Sequence, residues 1–349
     1  MTPLATLLVT FLLAALVVVG AGTVLARSGD VIAARTALGG LWVGSVFLAF
    51  ATSLPELATD IAAIRIGALD LAAGDLFGSS MANMLILAVL NLLPTGSGLF
   101  RKAALEHALY AAVAIILTSV AAVSILLRPS VSVLGIGPET MLLLAIYLAG
   151  SRAIYRHGTL ARQAAATAEM GGQPAVAAPV APGEHAPGPT TSLRRAIGMF
   201  VGASLVILVA APQFARSAEQ LAVVTGLGTT FVGTWLVGFS TSLPELVTSL
   251  AAVRLGAFDL AVGNLFGSNA FNMTILVVLD AAQGPGSFLG LVETSHAISA
   301  LVAVALMAVA VAALVSRAEG RLRVLEPSSG IIIVGYVLGL AAMLLAGRS

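Results

Sequence analysis

Residues 51–60 read ATSLPELATD, and residues 240–249 read STSLPELVTS. Each stretch sets a glutamate beside a proline inside a long apolar run, Glu56 after Pro55 and Glu245 after Pro244. The two stretches are 189 residues apart, and at that offset the chain matches itself without a gap. ARS at 26–28 meets ARS at 215–217, and 27 of the 41 positions in 50–90 are identical to those in 239–279. Ser79 pairs with Ser268 and Asn83 with Asn272. The chain is therefore a duplication.

The surrounding composition says what kind of unit was duplicated. Of 349 residues, 59% are hydrophobic and 9% charged, and the mean hydropathy is +1.04. A soluble domain carries about 25% charged residues. Here apolar runs of about 20 residues, enough to cross a bilayer as helix, recur along the chain. Ten spans are expected, at 4–25, 38–63, 70–92, 103–126, 131–150, 196–214, 226–253, 259–281, 291–315 and 330–346. The first is too long for the apolar region of a secretory signal and has no basic residue before it. The fold class is an all-α polytopic membrane protein with ten transmembrane helices in two repeats of five. Residues 1–151 form the first repeat, with its motif at 50–90, and 196–349 form the second, with its motif at 239–279. Residues 152–195, rich in Ala, Pro and Gly, read as a flexible cytoplasmic linker. His157 and His185, in or beside it, read as solvated bystanders. The net charge of +1 and the absence of any basic run give no sign of nucleic acid, and the absence of Cys excludes disulfide and thiol chemistry.

A five-span repeat is odd-numbered, so its second copy enters the membrane from the opposite side. Arg and Lys in the loops set the orientation. With both termini outside, 13 of the 17 basic residues fall on the cytoplasmic side, among them Arg27 and Arg254. Their repeat partners Arg216 and Arg65 fall outside. The expected location is a prokaryotic inner membrane. Inverted repeats of this kind are a transporter architecture, in which the substrate site lies near the midplane on interrupted helices.

The quoted stretches supply the interruption. Pro55 has no N–H and disfavours helix at Leu54, which leaves a carbonyl near Ala51 without its amide; Pro244 does the same near Ser240. Inside a membrane such a carbonyl is tolerated where it lines a cavity or meets an ion. Thr52 and Ser53 add hydroxyls beside it, Glu56 stands one turn on, and Thr241, Ser242 and Glu245 repeat the set. On the next helix Asp75, Ser79 and Asn83 share one face at i, i+4 and i+8, as do Asn264, Ser268 and Asn272. Gly74, Gly78, Gly263 and Gly267 are small enough for close helix approach. Every donor in these stripes is oxygen, with neither Cys nor His, which suits hard cations such as Ca²⁺ or Na⁺. An unpaired carboxylate at mid-bilayer costs about 2.5 kcal/mol or more. Two of them are understandable if a cation or a proton accompanies them. Taken singly, an intramembrane Glu can be a protonated group bonded across helices, Asn83 and Asn272 can be glue between helices, and Ser79 and Ser268 can back-bond to their own helix.

TSLPEL followed by G-(D/N)-L-F-G-S resembles the paired alpha repeats of the cation/calcium exchanger superfamily, in its sodium/calcium exchanger branch. The resemblance covers about 80 residues in motifs and, through the ten-span layout, nearly the whole chain. It implies that Glu56 and Glu245 coordinate Ca²⁺ and Na⁺. Thr52, Ser53, Thr241 and Ser242 would offer hydroxyls or carbonyls, Ser79 and Ser268 would bridge Na⁺ sites, and Asn83 and Asn272 would hold the equatorial positions. Ala49 and Gly238 would lend carbonyls. The first and sixth helices would slide past a fixed core. The chain departs from the family pattern at Ala51, Ser240, Asp60, Asp75, Ser80 and Ala82. Asp60, four residues after Glu56, and Asp75, four before Ser79, are candidate additional ligands; each reads equally well as a charge near the surface, where Asp60 could pair with Arg65.

The expected function is a secondary antiporter that exchanges Ca²⁺ for Na⁺ at one central site by alternating access. It needs no cofactor, no nucleotide and no obligate protein partner; its partners are the two ions and the lipid bilayer. Rival readings use a proton or another cation in the same site, or make the chain a passive channel. An intramembrane hydrolase would need a constellation these motifs lack, so no enzyme activity is expected. His107 and His296 lie near span ends and read as interfacial.

Overall fold

The computed structural model describes residues 3–36, 38–95, 98–103, 106–133, 135–170, 191–224, 239, 241–316 and 327–346. Apart from an isolated bridge between Val133 and Ile136, the regular structure in these residues is helical. The first half begins with α1 (Pro3–Arg35). There follow α2 (Gly39–Trp42), a π-helical segment (Val43–Leu48) and α3 (Ala49–Thr52), which run on as one rod to a break at Ser53. After the break come α4 (Leu54–Arg65), α5 (Leu69–Leu92), α6 (Leu99–Lys102), α7 (His107–Leu127) and α8 (Pro138–Met170). The second half contains α9 (Leu193–Val224), α10 (Leu243–Arg254), α11 (Phe258–Gln283), α12 (Phe288–Leu291), α13 (His296–Ser316) and α14 (Pro327–Ala346). Among the described residues seven helical stretches are long and apolar enough to cross a membrane, and Pro327–Met343 is a shorter apolar one.

The 189-residue offset governs the helices themselves. It carries the starts of α4, α5, α6, α7 and α8 onto the starts of α10, α11, α12, α13 and α14. It also carries Gly67 (φ 77°) onto Gly256 (φ 78°), the left-handed residue that turns the chain between the motif helices.

The observed elements differ from the expected spans in several places. α1 runs on to Arg35 and α9 spans Leu193–Val224, both past the expected limits. The span expected at 131–150 begins only at Pro138, because the residues before it are closed by the bridge between Val133 and Ile136, with Gly135 in the left-handed region (φ 80°). The spans expected at 103–126 and 291–315 start late, at His107 and His296, each after a separate short helix, α6 or α12. Residues 152–170, expected in the linker, continue α8 as helix. Their run of Ala, Arg, Gln and Glu has high helix propensity, and the helix ends where Gly171 begins. His157 thus lies in α8, while His185 and residues 171–190 are outside the described residues, as are 225–238 of the seventh expected span.

Packing interleaves the halves. α5 packs on α13 and α14 of the second half, and α11 on α7 and α8 of the first. α1 lies chiefly along α9, where Phe11 and Phe214 stack at 4.8 Å. Leu12, Leu13 and Leu16 on α1 are exposed, as a lipid-facing surface requires. α11 and the π-helical segment approach closely. A Cβ on Gly267 would sit 2.3 Å from the carbonyl oxygen of Ser45, and one on Gly44 would sit 2.7 Å from that of Leu260. Both obstacles are backbone and cannot swing aside. Gly267→Ala is therefore expected to destabilise the fold by about 1–3 kcal/mol, read as a lower melting temperature of the purified protein.

Polar clasps join the halves, and they too come in pairs. His107 Nε2 lies 3.0 Å from Asp259 Oδ1, and His296 Nε2 lies 3.2 Å from Asp70 Oδ1. Asp280 Oδ2 accepts from the Gly137 amide (2.5 Å) and the Thr140 hydroxyl (2.6 Å), and its Oδ1 accepts from the Phe288 amide (2.7 Å). At the related positions Asn91 donates to the Ser329 hydroxyl at 3.0 Å. The two histidines, read as interfacial, stand at helix starts, His107 fully buried and His296 with 12% of its side chain exposed, against aspartates that are 37% and 51% exposed.

Candidate functional site

The site begins at the break the prolines make. Ser53 leaves helical geometry (φ −89°, ψ 4°), and so does Ser242 (φ −78°, ψ 4°); each caps the helix that carries the motif glutamate in its first turn. Pro55 offers no N–H to the Ala51 carbonyl, so the rod cannot continue through this point. Just before it lies the π-helical segment, a form that concentrates at functional positions.

Around this break the polar stripes meet. Thr52, Ser53, Glu56, Ser79, Asn83, Thr241, Ser242, Glu245, Ser268 and Asn272 are all buried. They are bonded across the repeat boundary. Ser53 donates to Glu245 Oε1 at 3.3 Å, and Ser268 donates to the same oxygen at 3.4 Å. Thr52 Oγ1 is 3.4 Å from Ser268 Oγ and donates to Asn264 Oδ1 at 3.2 Å. Asn272 Nδ2 donates to Ser79 Oγ at 2.8 Å, and Asn83 Nδ2 donates to Asn269 Oδ1 at 2.9 Å. Glu56 is repelled electrostatically by Glu245, Asp75 and Asp60, so the acids share one neighbourhood.

What these bonds leave over is informative. Both amide nitrogens are spent on fixing Asn83 and Asn272, which turns each amide oxygen away from a donor. Asn83 Oδ1, Asn272 Oδ1, Glu56 Oε2 and Glu245 Oε2 are buried with no hydrogen-bond partner. The four form two pairs related by the 189-residue offset. Buried acceptors are ordinarily satisfied, and leaving one bare costs about 1–3 kcal/mol, more for a charged group. All four are acceptors, which a cation, a proton carried by one of the carboxyls or a water molecule would satisfy. Among the described residues no group of three or more His, Cys, Asp or Glu is arranged to hold a metal.

Several expectations change. The Ala49 carbonyl, expected to lend an oxygen, accepts from the Ser53 amide at 3.0 Å. Gly238 and Ser240 are outside the described residues. Asp60 and Asp75, readable as surface charges, are 1% and 2% exposed. Asp60 has no bonding partner on either oxygen, so Arg65 does not pair with it. Asn269 was passed over in the sequence; it orients Asn83 and donates to the Ser80 carbonyl at 3.3 Å. The clasps were also passed over, although His107 with His296, Asp70 with Asp259 and Thr140 with Ser329 all repeat at the same offset.

The sodium/calcium exchanger protein family model matches residues 6–151 and 195–345. The chain belongs to that family. The inner membrane protein YrbG of Escherichia coli is 30% identical over 254 residues, 70% of either chain. The sodium/calcium exchanger MaX1 of Methanosarcina acetivorans is 37% identical over 79 residues, 23% of either chain. Among solved structures, the sodium-calcium exchanger NCX_Mj soaked with Na⁺ and Sr²⁺ superimposes with a TM-score of 0.66 over 97% of this chain and 99% of that one, at 19% identity. At that identity the likeness establishes the fold. This exchanger is thus an all-helical integral membrane protein of the cation/Ca²⁺ antiport class.

Proposed function

We propose that this exchanger moves Ca²⁺ against Na⁺ by alternating access at the buried site between Glu56 and Glu245. The observation that carries the proposal is the set of four unpartnered oxygens on Glu56, Asn83, Glu245 and Asn272. Ca²⁺ takes six to eight oxygens. The four supply the centre of such a shell, and Thr52, Ser53, Ser79, Thr241, Ser242 and Ser268 stand around it with hydroxyl oxygens. Two carboxylates neutralise one divalent ion or two monovalent ions, so Ca²⁺ and Na⁺ compete for the same oxygens, and competition alone couples their movements.

Access is controlled by α1 and α9. They pack along one another, α1 against α10 and α9 against α4, so they lie over the two glutamate-bearing helices. Sliding of this pair against the core would open the site to one side and then the other. The shared helix starts at the 189-residue offset support two inverted five-helix repeats. The charge count supports termini outside and residues 171–190 in the cytoplasm.

The test is ⁴⁵Ca²⁺ uptake into proteoliposomes under imposed Na⁺, K⁺ or H⁺ gradients. Uptake is expected when Na⁺ is loaded inside and diluted outside. Uptake that follows a pH gradient and ignores Na⁺ would replace sodium by the proton as the coupling ion.

A further inference from the structure

The two halves of the site obey the repeat relation closely, and where they depart from it the first half is short of donors. In the second half Thr52 donates to Asn264 Oδ1, and Asn264 Nδ2 then donates to Thr248 Oγ1 and to Ser249 Oγ, each at 3.1 Å. In the first half Thr241 donates in the corresponding way to Asp75 Oδ1 at 2.9 Å. Position 75 has no amide nitrogen, however, and the counterpart of Ser249 is Asp60. A carboxyl group therefore faces a carboxyl group, within hydrogen-bonding reach. Asp60 Oδ1, Asp60 Oδ2 and Asp75 Oδ2 are buried and unpartnered. Glu56, one turn along α4, adds negative charge to the same neighbourhood.

Asp75 Oδ2 stands where the second half has Asn264 Nδ2, and beside it Asp60 brings two more bare carboxyl oxygens. A single shared proton would satisfy two of the three. A cation between the two carboxyl groups would satisfy all three and cancel charge that the central site leaves over, since the four acids Glu56, Glu245, Asp60 and Asp75 outnumber what one Ca²⁺ neutralises. Three fixed oxygens are about half of a Ca²⁺ shell, so the pocket suits a hard monovalent ion. We propose that Asp60 and Asp75 hold an additional monovalent cation of the sodium class, in the first repeat alone, between their two carboxyl groups, where the second half has the hydrogen bond from Asn264 Nδ2 to Ser249. The proposal rests on the exchange reading above. It makes the two halves unequal: the first half loads an ion for which the second half substitutes its own amide.

The test uses the double substitution Asp60→Ser with Asp75→Asn, which installs in the first half the bonding pattern the second half already supports. The full-length protein in nanodiscs is titrated with ²²Na⁺ and, separately, with ⁴⁵Ca²⁺. The double variant is expected to bind one Na⁺ fewer per chain than the unaltered protein and to show a lower Hill coefficient for Na⁺, while one Ca²⁺ per chain reports an intact central site. Should the double variant lose Ca²⁺ binding, Asp75→Asn alone carries the test, with the same expected loss of one Na⁺. Equal Na⁺ counts overturn the proposal. So does an unchanged count accompanied by one fewer proton released on ion binding, which would assign the pair to a shared proton. Equal counts in a protein whose Na⁺ gradient still drives Ca²⁺ uptake defeat this proposal alone; absence of that uptake in the unaltered protein defeats the exchange reading.

Discussion

Replacing Glu56 or Glu245 by Gln is expected to lower Na⁺-driven ⁴⁵Ca²⁺ uptake by about 10²-fold or more. Gln keeps the shape and one oxygen but removes half of the charge that faces the ion. Breaking a buried charge pair by removing one partner costs about 3–5 kcal/mol, and each ~1.4 kcal/mol is tenfold in affinity. Both side chains are 1% exposed, so solvent does little to soften the loss. The fold should survive, because the carboxylates repel one another when no ion is present. The ion-free variants are expected to melt no lower than the unaltered protein. What they should lose is the rise in melting temperature on adding Ca²⁺, worth about 2.7 kcal/mol at a hundred times the dissociation constant. Both readouts come from the same preparations. Full uptake in both variants would remove the ion from this site altogether.

Asp280→Ala is expected to do the reverse: it should spare the chemistry of the site and damage the fold. Asp280 is fully buried and its two oxygens hold the Gly137 amide, the Thr140 hydroxyl and the Phe288 amide. It thereby ties the start of α8 and the start of α12 to the end of α11. Hydrogen bonds to a charged group contribute about 1.5–3 kcal/mol each, and the amides left behind would be buried without a partner. The combined loss should exceed ~4 kcal/mol, a fall in melting temperature on the order of 10 °C. Asp280→Asn should fall between the two, since it keeps one acceptor oxygen but presents an NH₂ to groups that are themselves donors. The related position is already Asn, at Asn91, where the partner is the hydroxyl of Ser329. If Asp280→Ala melts like the unaltered protein, this clasp contributes nothing and the junction of the halves is held by the other clasps and by apolar packing.

The sequence by itself determined the duplication, the membrane setting and the polar stripes. Those properties are periodic or compositional: an apolar run long enough to span a bilayer, a proline that breaks it, and oxygen-bearing residues at helical spacing need no third dimension to be recognised. It also singled out Asp60 and Asp75 as departures, without deciding whether they were surface charges. Only the tertiary structure decided that, because burial depends on which helices pack around α4 and α5. The same holds for His107 and Asp280, which reach partners more than a hundred residues away. Spacing along a chain reports which groups share a face of one helix. Which acceptors remain without donors is settled by contacts between helices, and in this exchanger those leftover oxygens mark the candidate ion site.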